Sequence, residues 1–319
     1  MTVRQIPTMA AFESCIEREL SPWLEEQEVE RRRVLRRAVR RGLPAFLAAL
    51  ISIVAAFAID SPLLWLFALV AAPALALWGF VLFSPALSWS DAFQRALLGR
   101  VYGYFGFGAA RDVPHGYYAT FGLLALLPAG PRYELMAYDS GVMRGVPCEV
   151  ATARLHVQRL ANRHVTRATS HGVLLARFPF PKAFGGVTAV LPDFGGAVNA
   201  VRPRPHDGDN PVARVRLDNP IFEKLFEVFS SDQVSARYLL TPAFMERLLE
   251  LRRQTGGEMR LAFAKGYLHV ALMGERSYFS NVSVSDDIRD VDGMRVLAAD
   301  MMKLDDLVRI LRLDAQTAV

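Results

Sequence analysis

Between residues 43 and 83 the chain carries one charge, Asp60. The stretch reads LPAFLAALISIVAAFAI, then Asp60-Ser61-Pro62, then LLWLFALVAAPALALWGFVLF, so the charge falls where the apolar run breaks. Residues 43–59 and 63–83 bracket the roughly 20 apolar residues that cross a hydrocarbon core. Pro73 is tolerable in such a span because neighbouring groups rescue the freed carbonyl. The break is too short for a domain, so the two runs are expected to form a transmembrane helical hairpin. Pro62 suits the first turn of the second helix, with Ser61 or Asp60 as cap. Trp65, Trp78 and Trp89 are candidates for interfacial levels. A buried hairpin in a water-soluble core does not fit, because neither run has a polar face. A cleaved leader does not fit either, given the arginine-rich segment ahead and the second span behind.

Orientation follows from arginine. Arg31, Arg32, Arg33, Arg36, Arg37, Arg40 and Arg41 immediately precede the first run, and the break between the runs holds no Lys or Arg. The positive-inside rule places the N-terminus in the cytoplasm, and two crossings return the chain there. Arg95 and Arg100 agree. The formal charge is +5, but its local excess lies beside the apolar run, so anionic headgroups rather than nucleic acid are the expected counter-charge. The seven arginines are thus read as a membrane-surface basic belt. Ahead of them, residues 8–41 read as an amphipathic helix with Phe12, Ile16 and Leu20 at helical spacing and a restart at Pro22. The two cysteines, Cys15 and Cys148, have no paired spacing and are expected to be reduced.

Beyond the hairpin, residues 89–104 read as a helix leading into the glycine-aromatic run YGYFGFG, a linker rather than a dinucleotide fingerprint. Residues 117–128 are apolar and ambiguous. RYELMAYDSGVMRGVPCEVATARLHVQRL alternates as extended segments. HGVLLARFPF and GGVTAVLPDF read as a hairpin separated by residues 181–186. The turn-rich residues 202–211 are a loop, 212–217 a strand, and EVFSSD a strand with a turn. Asn219-Pro220 and Thr241-Pro242 open helices, MRLAFAKGYLHVALM is a hairpin turning at Lys265-Gly266, and residues 295–313 form a helix. The fold class is therefore α+β: an N-terminal amphipathic helix, a transmembrane helical hairpin, then a mixed cytoplasmic domain of antiparallel strands and helices. The boundaries are residues 1–42, 43–83, 84–110 for a helix and linker, and 111–319, with two subdomains possible about a break near 202–211.

No chemistry stands out. His115, His156, His164, His171, His206 and His269 fall at no metal-ligand spacing, and there is no HExxH motif, nucleophile elbow or phosphate loop. Asp286, Asp287, Asp290 and Asp292 lack the register of a calcium loop. Asn281-Val282-Ser283 matches a glycosylation sequon of no consequence in a cytoplasmic domain. No catalytic residue, cofactor or metal site is assigned.

The most distinctive run is LDNPIFEKLFEVFSSDQVSARYLLTPAFMERLLEL. Its Phe222, Phe226, Val228, Phe229, Asp232, Ala236, Arg237, Tyr238, Leu240, Thr241, Pro242, Met245, Glu246 and Leu248 resemble the bacterial membrane-anchored family known as domain of unknown function 3137. That resemblance implies two spans followed by a cytoplasmic domain, and it implies no reaction, cofactor or substrate. Physically, Thr241 caps a helix that Pro242 begins, Phe222, Phe226 and Tyr238 read as core, and Asp232 with Arg237 as an ion pair holding the turn. The functional expectation is a membrane-anchored, non-enzymatic interaction module at the bacterial inner membrane. Its partners would be the lipid bilayer and a membrane protein or a second copy, and not nucleic acid. An enzyme on a membrane-borne substrate and an accessory subunit of a transport complex are the alternatives.

Overall fold

The structure is a computed structural model. It describes residues 8–59, 62–108, 114–128, 132–161, 164–195, 199, 202–255, 258–274, 288–289, 292–311 and 313, with side chains at many positions of 45–87 and at 132–135 and 156–170 outside the description. The turn residues Asp60 and Ser61, the sequon at 281–283, and Asp286, Asp287 and Asp290 also lie outside the described residues. The chain divides into a helical unit, Ala10–Leu97 with Asn281–Val291, and a sheet unit, Leu98–Ser280 with Met1–Met9 and Asp292–Val319.

The helical unit starts in α1, Met9–Cys15, passes through a π-helical turn, Ile16–Leu20, and continues as α2, Ser21–Ile59. The expected restart at Pro22 is instead a widened turn, closed by the Ser21 N–H on the Ile16 carbonyl. Pro22 has no N–H to offer Arg18, and its ring would clash with that carbonyl in a regular α-turn. Phe12, Ile16, Leu20 and Leu24 are buried at helical spacing. After the break comes α3, Pro62–Tyr104, which runs without interruption through the position where a second helix was expected to begin. Trp23 stacks on Phe93 at 5.5 Å and Phe93 on Trp89 at 5.2 Å, while Ala38 packs with Val34, Leu35 and Trp89. Those contacts make α2 and α3 a stem on the arginine side of the apolar runs. Among the described residues, no helix is long and apolar enough to cross a membrane.

The sheet unit is built on eight strands: β1 (Arg132–Met143), β2 (Val146–Ala161), β3 (His164–Pro179), β4 (Val187–Pro192), β5 (Ala213–Val215), β6 (Phe226–Ser230), β7 (Glu258–Ala264) and β8 (Tyr267–Met273). They form one sheet in the order β1-β2-β3-β8-β7-β4-β6-β5, antiparallel at every pairing. The expected hairpin between β3 and β4 is not formed, because the β7–β8 hairpin lies between them. That hairpin turns at Lys265 and Gly266, with φ of 52° and 79°, and β1–β2 turns the same way at Arg144 and Gly145, with φ of 50° and 83°. Two successive left-handed residues match the twist of the flanking strands, and glycine takes the second position at no steric cost.

Strand alternation assigns the two faces. On one, Ala151, Leu175, Ala189, Ala262, Ala271 and Phe229 pack with α4, Tyr117–Leu123, and with Leu124–Leu127 after it. On the other, Phe263 meets Phe244 of α7, Pro242–Thr255, at 5.9 Å. Two short helices precede α7: α5, Pro220–Leu225, and α6, Gln233–Leu239. The last helix, α8, Asp292–Leu311, buries Leu297, Met301, Leu304, Leu307, Val308 and Leu311 as its periodicity predicts, and its Asp305 binds Arg144 at 2.6 Å. The YGYFGFG run, expected as a flexible or tightly turned linker, takes the second form: it ends α3 in a tight turn with Tyr102, Phe105 and Phe107 buried. Phe107 lies against Gly141 of β1, where an added Cβ would fall 2.7 Å from the ring. Gly141→Val should therefore destabilise the sheet unit by about 1–3 kcal/mol through overpacking. Equilibrium unfolding followed by fluorescence checks this, and a Phe107→Ala background should remove most of the added cost.

Candidate functional site

Just past the end of β4 lies an open polar groove of about 340 Å³ lined by Asp193, Gly195, Asn199, Arg204, Arg214, Glu227 and Phe229. Asp193 follows Pro192 and ties down the loop: its carboxylate accepts from the Gly195 N–H at 2.8 Å and from Asn199 Nδ2 at 2.6 Å. Asn199 Oδ1 accepts from the Phe194 N–H and from Arg202 Nη2, which also donates to the Pro192 carbonyl. The Gly195 N–H and then Asn199 hold the Asp193 carboxyl below the usual carboxylate range. Burial, followed by the charge of Arg260, pushes the Arg202 guanidinium below its ordinary value.

The opposite wall comes from β5 and β6. Alternation turns Glu227 and Phe229 to the same side, and register places Arg214 opposite Phe229. Arg214 Nη1 lies 2.9 Å from the buried Glu227 carboxylate and Nη2 lies 3.9 Å from Glu223. Arg204 sits 6.0 Å above the Phe229 ring and has no carboxylate partner among the described residues. The groove therefore offers fixed charges of both signs beside an aromatic face. Among the described residues, no group of three or more His, Cys, Asp or Glu could hold a metal ion. Arg214→Gln leaves Glu227 buried without its cation. A loss of about 1–3 kcal/mol is expected, largely recovered in the double variant with Glu227→Gln, and denaturant midpoints measure both.

A second polar cluster crosses β2, β3 and β8 on the α4 face, where Glu149, Arg177 and His269 are consecutive register partners. Arg177 bonds Glu149 at 2.5 Å and lies over the rings of Tyr117 and Tyr267, at 5.7 and 4.7 Å. His269 is 2% exposed, edge-on to Phe121 at 5.4 Å, and its Nδ1 has no hydrogen-bond partner among the described residues. Burial, then the Arg177 charge, pushes its pKa down to about 4. The folded chain thus refuses a proton that the unfolded chain accepts near pH 6.5, so stability rises with pH between about 4 and 6.5. The contribution is on the order of 3 kcal/mol, and unfolding free energies across that window should show the slope flattened in His269→Gln. Both cysteines are buried, and burial pushes the Cys148 thiol up to about 12, away from reactivity.

The residues singled out in the sequence fall in three places. Arg31, Arg32 and Arg33 pair with acids on α2: Arg31 and Arg32 with Glu28 at 2.7 Å, and Arg33 with Glu30 at 3.5 Å. Arg36, Arg37, Arg40 and Arg41 are exposed further along α2. In the sheet unit, Phe222 and Phe226 are fully buried with ring centroids 5.0 Å apart, and Asn219 caps α5. Thr241 Oγ1 accepts from the Phe244 N–H, capping the helix that Pro242 begins. Two expectations fail. Tyr238 is not core but 53% exposed, because it follows Val234 by one helical turn on the outer side of α6. Asp232 does not pair with Arg237: it caps α6 through the Val234 and Ser235 N–H groups and the Ser235 hydroxyl, while Arg237 turns to Gln233. The groove residues Asp193, Arg204, Arg214 and Glu227 were not foreseen, and the only signal near them was the turn-rich loop at 202–211.

Fold and site together define an α+β domain in a chain that opens with two long helices. Residues 171–313 match the family model described as "Protein of unknown function (DUF3137)", the family that the run around Tyr238 and Thr241 resembles. Among curated proteins none matches the chain. The crystal structure of the mycobacterial trehalose monomycolate transport factor A, TtfA, is similar at 10% identity and a TM-score of 0.32, covering 70% of this chain and 96% of that one. A likeness of that degree carries no argument about fold or function.

Proposed function

We propose that this chain is a membrane-anchored, non-enzymatic interaction module. A hairpin of two spans inserts into the bacterial inner membrane with both termini in the cytoplasm, and the α+β domain binds a partner protein or lipid at that surface. One observation carries the reading: large apolar side chains of α2 and α3 face outward throughout the described part of the hairpin. Ile51 is 66% exposed, Leu69 74%, Leu77 65% and Phe80 60%. Each such group costs about 1.5–3 kcal/mol when left in water. Isolated exposed leucines are unremarkable, but a contiguous apolar surface of this extent belongs against another apolar phase.

Length agrees with the reading. At 39 and 43 residues, α2 and α3 would measure about 58 and 64 Å, well beyond a hydrocarbon core of about 30 Å. The excess is the stem built on Trp23, Trp89 and Phe93. For the binding domain, support comes from the open groove, whose charged walls are held by Asp193 and Glu227 and whose aromatic floor is Phe229.

Alkaline carbonate treatment of membranes from cells expressing the full chain tests the anchor. The protein is expected to remain in the pellet and to move to the detergent phase with Triton X-114. Release into the carbonate supernatant would overturn the reading.

A further inference from the structure

The seven arginines before the first apolar run are not equivalent. Arg31 and Arg32 share the buried carboxylate of Glu28, and Arg33 reaches Glu30. Each of the three thus has a carboxylate partner within the helix, two of them sharing one. Arg36, Arg37, Arg40 and Arg41 are exposed and have no carboxylate partner among the described residues. Successive residues of an α-helix are offset by about 100°, so these four share an arc of about 140°. Ala38 and Leu35, which pack with Trp89, lie on the opposite side. The stem therefore turns four uncompensated guanidinium groups outward.

Axial position separates the two sets as well. With a rise of about 1.5 Å per residue, Arg41 lies about 3 Å and Arg36 about 10 Å before Leu43, where the apolar run begins. The headgroup layer of one leaflet is about 5–8 Å thick, within reach of these side chains. Arg31–Arg33 lie about 15–18 Å before the run, beyond that layer.

We infer that Arg36, Arg37, Arg40 and Arg41 form a binding site for anionic phospholipid headgroups, distinct from Arg31–Arg33, which are paired with Glu28 and Glu30 and lie further from the apolar run. The inference rests on the membrane-anchored reading and adds to it a lipid class and the residues that select it. Guanidinium suits the role because its planar fork can donate two hydrogen bonds to one phosphate. The proximity of the apolar run favours a lipid phosphate over a soluble one, since the same helix already holds the site at the headgroup level.

The full-length chain in neutral detergent, titrated with phosphatidylglycerol or phosphatidylcholine and read by native mass spectrometry, tests this. Retention of phosphatidylglycerol over phosphatidylcholine is expected, falling about fivefold for each of the four arginines changed to Gln. The preference should weaken but persist in the quadruple Lys variant, which keeps the charge and loses the fork, and be unchanged in the control Arg32→Gln/Arg33→Gln. An unchanged preference in the quadruple Gln variant, equal loss in the control, or displacement of the lipid by inorganic phosphate or RNA would overturn the proposal. If the wild-type chain stays in carbonate-washed membranes yet shows no preference, only this proposal falls. If it is washed off, the anchor falls with it.

Discussion

The cost of leaving the flanks of α2 and α3 in water governs everything else about this chain. A folded domain is stable by only about 5–15 kcal/mol. Each leucine-sized group left exposed forgoes the roughly 1.5–3 kcal/mol that burial would contribute, and several together forgo an amount comparable with that margin. Ile51, Leu69, Leu77 and Phe80 are exposed together with Leu50, Val54 and Val81. Such a surface is compatible with a working protein when a bilayer covers it. The sheet unit has a core of its own, in which α4 packs on one face of the sheet.

Charge is distributed in the same spirit. Several enclosed arginines have a carboxylate at hand: Arg31 has Glu28, Arg144 has Asp305, Arg177 has Glu149 and Arg260 has Glu258. A buried pair of this kind contributes little net stability, but losing one member is costly because the other cannot be rehydrated. Arginines outside such pairs stand out against that background. Four of them lie on the outer arc of α2 just before the apolar run, and Arg204 lines the groove.

Local structure was legible in the sequence wherever one short segment decides it. Lys265-Gly266 dictates a left-handed turn, Asn219-Pro220 and Thr241-Pro242 start helices, and the periodicity of α8 names its buried face. Strand partnership was not legible, because alternation shows that β3 and β4 are strands but not that β7 and β8 insert between them. The Asp232 cap was available in the letters, since aspartate is a favoured residue at a helix N-cap, but a nearby arginine suggested an ion pair instead. Tyr238 shows the complementary error: an aromatic residue in an apolar neighbourhood was taken for core, although only Ala236 and Leu239 of α6 turn inward. The groove was beyond reach for the same reason as the strand order. Asp193, Arg204, Arg214 and Glu227 come from separate segments and meet because β4, β6 and β5 are neighbours. The uncompensated state of four of the seven arginines also needed the positions of Glu28 and Glu30 relative to them.

Topology mapping addresses the central claim most directly. Alkaline phosphatase inserted between Asp60 and Ser61, compared with the same reporter fused after Val319, reads the side of the membrane each position occupies. A two-span anchor with cytoplasmic ends predicts an active enzyme at the 60–61 insertion and an inactive one at the C-terminus. Activity at the C-terminal fusion, or none at either position with both fusions soluble, would contradict it.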